Sequence, residues 1–175
     1  MSPSQDDVML ALGYVTYETQ ETEATLHLVM SLVFGLSVAE SIEHLKKIYA
    51  KKTLGQFLDL LRAKIGISPE FDEFMTDYIE QRNFITHNIS RTTIFSPYTD
   101  LGREKLMNLL TSFRFMNRKA KLTFMALTEA WMRLALTDQE NETRLSALKE
   151  SGLLQEIERD FIPELSKIFG RSVST

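Results

Sequence analysis

The chain contains no cysteine. That absence excludes a disulfide framework, a thiol nucleophile and a cysteine-based zinc site, and it fits a reducing cytoplasm. Histidine is nearly as scarce. His27, His44 and His87 stand far apart, so a histidine-rich metal centre is not expected. Seven glycines and four prolines in 175 residues leave few breaks. No run alternates with the period of a strand, and no internal repeat or low-complexity tract is present. The longest apolar run, Leu26 to Val38, is interrupted by His27, Ser31, Gly35 and Ser37 and is too short to span a bilayer. The opening MSPSQDD is polar and acidic, unlike a signal or transit peptide. A formal net charge of −4 offers no general attraction to nucleic acid or anionic membrane, so any phosphate contact must come from a local patch. The expectation is a soluble cytoplasmic protein without a membrane partner.

What is present is helical pattern. With 43% hydrophobic and 25% charged residues, the chain has material for one ordinary core. The predicted fold class is all-α, an up-and-down helical bundle of two long helices with shorter ones between. Residues 1–136 would form the bundle, and 137–175 a C-terminal helical extension packing on it or on a partner. Ser4 caps the first long helix, which runs to about Phe34. Glu18, Glu21 and Glu23 on it read either as a solvated acidic face or as a source of one carboxylate for Arg82. His27 reads as a packing or surface histidine. Ser37 caps a second segment with apolar face Val38, Ile42, Leu45 and Ile48, exposed His44 and a lysine cluster at its end. Thr53 caps a third, with Leu54, Phe57, Leu58 and Leu61 inward and Gly66 as its stop. Thr99 or Asp100 opens the second long helix, to about Leu136, with a seam from Leu106 through Phe113, Ala120 and Phe124 to Trp131 and Leu134. Arg114, Arg118 and Lys121 lie beside that seam; they read as a solvated face or as a stripe tracking a phosphate backbone. Two amphipathic pieces follow, about 142–154 and 155–169, and Pro163 should kink or break the second.

The densest stretch is Phe71 to Arg91. Ser68 and Pro69 open this helix. Phe71, Phe74, Met75, Tyr78, Ile79, Ile85 and Ile89 fall on one side at helical spacing, and Arg82 lies in the middle of that stripe. A guanidinium there needs partners or a water-lined cleft. Asn83 follows, then His87. On a straight α-helix Arg82 and His87 stand about 140° apart, so they meet only if the helix distorts or ends nearby or the Arg82 side chain reaches around. Phe84 lies off the main stripe, which predicts a second buried surface there, consistent with dimer packing. Ser96-Pro97 kinks the loop that follows. Its Phe95 and Tyr98 could fold back over the His87 end.

Arg82-Asn83-Phe84-Ile85-Thr86-His87 has the form R-N-x-x-x-H. In this it resembles the HEPN superfamily, the higher eukaryotes and prokaryotes nucleotide-binding domains, whose motif is an Arg, a polar residue and a His on a core helix of a compact α-bundle. The motif covers six residues; the helix order matches over roughly Val8 to Leu136. The resemblance implies a metal-independent endoribonuclease without cofactors, with Arg82, Asn83 and His87 catalytic. It implies a homodimer in which two motifs face one cleft, and a toxin or defence effector held by a protein antitoxin or regulator. Arg82 would hold the scissile phosphate, and a histidine, which titrates near neutrality, would move the proton. Arg91, Arg114, Arg118 and Lys121 are the candidate RNA contacts. Two other readings stay open: a non-catalytic helical module that dimerises and holds a partner, and nucleotide binding without hydrolysis. The plain structural alternative is a paired interior Arg82 with His87 favoured by the helix C-terminus.

Overall fold

The structure is a computed structural model that describes residues 2–33, 54–64, 66–135, 142, 146, 149 and 152–168. The expected segment after Ser37 and the side chains of Phe57, Leu61, Trp131 and Leu134 lie outside the described residues. Among the described residues every regular element is helical. Helix α1 spans Gln5–Val33, α2 Leu54–Lys64, α3 Pro69–Asn83 and α4 Asp100–Ala135. After Gly152 come α5, Leu153–Glu156, and α6, Ile162–Ile168, joined by a π turn over Ile157–Phe161. The all-α bundle with two long helices is as the apolar spacing predicts.

The caps explain where the helices start. Ser4 Oγ accepts the Asp7 N–H at 3.1 Å while the Asp7 carboxylate accepts from the Ser4 N–H at 2.9 Å, a reciprocal box. These bonds hold the Asp7 carboxyl below its usual range. Ser68 Oγ accepts the Phe71 N–H at 3.2 Å, with Pro69 in the first turn. Thr99 Oγ1 accepts the Gly102 N–H at 3.2 Å at the head of α4.

The two long helices pack along each other and run parallel. Arg103 Nε reaches Pro3 O at 2.7 Å, Arg114 reaches Glu18 and Lys121 reaches Glu21, in the same order on both chains of residues. Helix α3 lies antiparallel to α4, Phe74 meeting Lys119 and Tyr78 meeting Asn117 and Phe113. Between them lies the core of Val15, Leu26, Met75, Tyr78, Leu110, Phe113, Phe124 and Leu127. Each large apolar side chain buried there stabilises the fold by about 1.5–3 kcal/mol before entropy is counted. Helix α1 buries threonines as well. Thr19 and Thr22 each donate to the carbonyl four residues back, at 2.7 and 3.0 Å, so their hydroxyls enter the core satisfied. His27 is buried, and that burial pushes its imidazole down to about 4.

The C-terminal segment packs on α4 and contributes Ile157 and Leu165 to the same core. Its break comes at Gly152, whose φ of 71° is left-handed, rather than at residues 154 and 155. Pro163 does not break the helix. The wide π turn just before it gives the proline ring room against the preceding turn, and the helix continues to Ile168. There the Ile168 carbonyl accepts the Ser68 N–H at 2.6 Å, tying this segment to the start of α3.

Candidate functional site

Arg82 is in the last turn of α3. The next five residues, Phe84–Asn88, form a π turn, and Ile89–Arg91 a turn of 3₁₀ helix, so the chain stays helical to Arg91. A π turn is wider than an α turn and stacks residues five apart rather than four. This removes the 140° separation of a straight α-helix. Arg82 Nη1 lies 3.4 Å from His87 Nε2 and donates to Asn83 Oδ1 at 3.0 Å. Sequence periodicity reads α throughout; the distortion that brings the motif together is not encoded in it.

The rest of the guanidinium is taken by helix α1. Glu23 Oε1 accepts from Arg82 Nε and Nη2, both at 2.7 Å. The pair is mostly enclosed, with the Arg82 side chain 21% and the Glu23 side chain 17% exposed. Of the three α1 carboxylates, Glu23 is therefore the one that reaches Arg82. Guanidinium can only donate, so in a hydrogen bond between the two His87 Nε2 can only be the acceptor. His87 and Asn83 are exposed, so the cluster opens to solvent at that end.

Under Arg82 lies Tyr78. Its hydroxyl donates to Asn117 Oδ1 at 2.8 Å, and its ring stacks on Phe113 with centroids 5.5 Å apart. Burial, with the Glu23 charge adding to it, raises the phenol well above its ordinary range, so it stays protonated. Asn117 is buried. It was not singled out from sequence, although a polar residue at the seam spacing of Phe113, Asn117, Ala120 and Phe124 was the available signal.

Phe84 packs edge-on against Phe95 of its own chain, with centroids 5.6 Å apart. The following loop thus covers part of the second surface expected from Phe84. Tyr98, expected to fold back with Phe95, is instead 78% exposed. The loop is pinned where Gly102 meets Ser96. A Cβ on Gly102 would lie 2.9 Å from Ser96 N and closer still to the Ser96 carbonyl oxygen.

The basic stripe, read as a solvated face or as a phosphate track, is paired with carboxylates. Arg114 binds both Glu18 oxygens at 2.6 and 2.8 Å, Arg118 both Glu156 oxygens at 2.7 and 2.8 Å, and Lys121 binds Glu21 at 2.9 Å. With Phe115 and Asn117 they line a groove of about 320 Å³ between α1 and α4 that includes neither Arg82 nor His87. Each cation there already has a carboxylate. Arg91 lies near the His87 end, exposed, with Nη1 donating to Asn88 Oδ1 at 3.3 Å. Among the described residues no three His, Asp or Glu side chains are grouped so as to hold a metal ion, and no helix is long and apolar enough to cross a membrane.

Comparison of the chain with family models, with curated proteins and with solved structures finds no match.

Proposed function

We propose that this chain is a metal-independent endoribonuclease whose site is built on Arg82, Asn83 and His87. The observation that carries the reading is the convergence of a guanidinium, an amide and an exposed imidazole across one π turn, beside a mostly enclosed carboxylate. These groups suit phosphodiester cleavage by a ribose 2′-hydroxyl. Arg82 stabilises the charge on the phosphoryl oxygens, His87 transfers a proton and Asn83 orients the guanidinium. Arg91 is the cation best placed to meet the backbone beside the cleaved bond. Arg114, Arg118 and Lys121 contribute to RNA binding only by exchanging a carboxylate for a phosphate. A homodimer, and a role as toxin or defence effector restrained by a protein partner, belong to the same proposal.

A second reading, a non-catalytic module that dimerises and holds a partner, draws on one observation. Leu10, Tyr14 and Tyr17 are 56–62% exposed at helical spacing on the outer side of α1, so that helix is apolar on two sides. The two readings part in one experiment. The full chain is incubated with a mixed RNA pool in chelator beside Arg82→Ala and His87→Ala. The nuclease reading expects cleavage to 2′,3′-cyclic phosphate ends, lost in both variants. Intact RNA, with a self-association that Tyr17→Asp abolishes, supports the interaction module.

A further inference from the structure

Cleavage of RNA through its own 2′-hydroxyl needs two proton transfers, one off the attacking oxygen and one onto the departing one. His87 can make one of them. The group for the other stands on α1. Glu23 Oε1 is 2.7 Å from Arg82 Nε and Nη2, at one edge of the guanidinium, and His87 Nε2 is 3.4 Å from Nη1 on the opposite arm. One chain therefore holds a carboxylate and an imidazole on either side of a phosphate-binding donor. Resting on the ribonuclease reading, we infer that Glu23 is the general base and His87 the general acid of a site complete within a single chain.

The assignment of roles follows from position. A carboxylate accepts protons, and Glu23 stands at the Nε and Nη2 edge of Arg82. A scissile phosphate bound by Arg82 Nη1 beside His87 sets the departing oxygen within reach of a ring proton. Glu23 then takes the 2′-hydroxyl proton, the 2′-oxygen bonds to phosphorus, the bond from phosphorus to the 5′-oxygen breaks, and His87 gives that oxygen its proton. The products are a 2′,3′-cyclic phosphate and a 5′-hydroxyl, and Glu23 and His87 return to their starting states by exchange with water. Among the other groups facing Glu23, Arg82 keeps its charge and Tyr78 keeps its proton, its hydroxyl committed to Asn117 at 2.8 Å. Neither competes as the base. The substrate class is RNA with a free 2′-hydroxyl at the cleaved linkage, and DNA is not cut.

The test uses the full chain in chelator on two substrates: an RNA oligonucleotide, and a uridine 3′-phosphate ester of 4-nitrophenol, whose leaving group departs without a proton. Glu23→Gln is expected to slow both by about 10²–10⁴-fold. His87→Ala is expected to slow RNA cleavage as much but the nitrophenyl ester by less than about tenfold, because the acid is then dispensable. Glu23→Gln also removes the low-pH limb of kcat/KM. Glu23→Asp, which keeps the carboxylate, retains that limb and serves should the glutamine variant not fold. Equal parts of Glu23→Gln and His87→Ala chains are expected to stay inactive. Activity regained on mixing overturns the single-chain site, Glu23→Gln cutting RNA within about threefold of the parent while the low-pH limb persists overturns the base assignment, and either leaves the ribonuclease reading standing. A parent chain that leaves RNA intact overturns both.

Discussion

Among the described residues there are two π turns, and they have different causes. The one over Ile157–Phe161 ends two residues before Pro163, whose ring crowds the preceding turn and whose nitrogen has no proton to donate. The backbone there must widen or kink. The turn over Phe84–Asn88 has no such reason, since the only proline of its helix is Pro69 at the start. Five residues of ordinary helix-compatible type adopt a less favoured geometry. What offsets it is side-chain contact: buried Ile85, Phe84 against Phe95, and Arg82 meeting Asn83 and His87. A π turn forced by a proline is a packing solution. A π turn that no proline requires, and that gathers an arginine, an amide and a histidine, marks where chemistry is expected.

The largest effect that separates the two turns is on cleavage. Arg82→Ala is expected to lower RNA cleavage by about 10²–10³-fold, while Pro163→Ala, which lets its turn relax to α, leaves the rate within about twofold, as initial rates would show. Arg82→Ala should also cost about 1–3 kcal/mol of stability, because it strands the enclosed Glu23 carboxylate, and denaturant unfolding measures that.

A pH series adds the effect of a buried histidine that lies in neither π turn. Burial depresses His27 to about 4 in the fold, against an ordinary value of 6.5 for an exposed imidazole. The unfolded chain therefore binds a proton first. Stability is full above pH 6.5, falls as pH drops toward 4 and levels below it, a loss of at most about 3 kcal/mol. His27→Gln should flatten that slope in urea titrations.

The bracing of the first turn gives the next effect. Phe84→Ala removes the edge contact with Phe95, and Gly102→Ala forces the Ser96 backbone away from α4. Each should cost about 1–3 kcal/mol and loosen the Arg82–His87 approach. Cleavage that survives both unchanged would break the link between the turn and the site. The smallest effect is expected in the exposed stripe. Arg114→Ala should cost under about 1 kcal/mol, since its side chain is 53% exposed and its pair with Glu18 is screened by solvent.

The apolar spacing in the sequence carries the helices because burial of one face dictates the period. Ser4, Ser68 and Thr99 are legible as caps because their hydroxyls have one obvious donor to satisfy. Arg82 in an apolar stripe foretells a partner, but three glutamates on α1 are equally near in sequence. Only the packing shows that α1 gives Glu18 to Arg114 and Glu21 to Lys121 on α4, and Glu23 to Arg82 on α3. The π turn at Phe84 is not legible at all. It arises from tertiary contacts with Phe95, a residue in the next loop. Gly152 is not legible as the break, because the pattern of apolar runs puts it near residues 154 and 155 while the chain turns where a left-handed φ is needed.

The most direct measurement follows the His87 ring by NMR while uridine 3′-phosphate is added to the parent chain and to Arg82→Ala. Convergence of guanidinium and imidazole on one phosphate predicts a saturable shift of the His87 ring signals in the parent that Arg82→Ala abolishes. Ring signals that stay still in the parent, or move equally in both proteins, would contradict it.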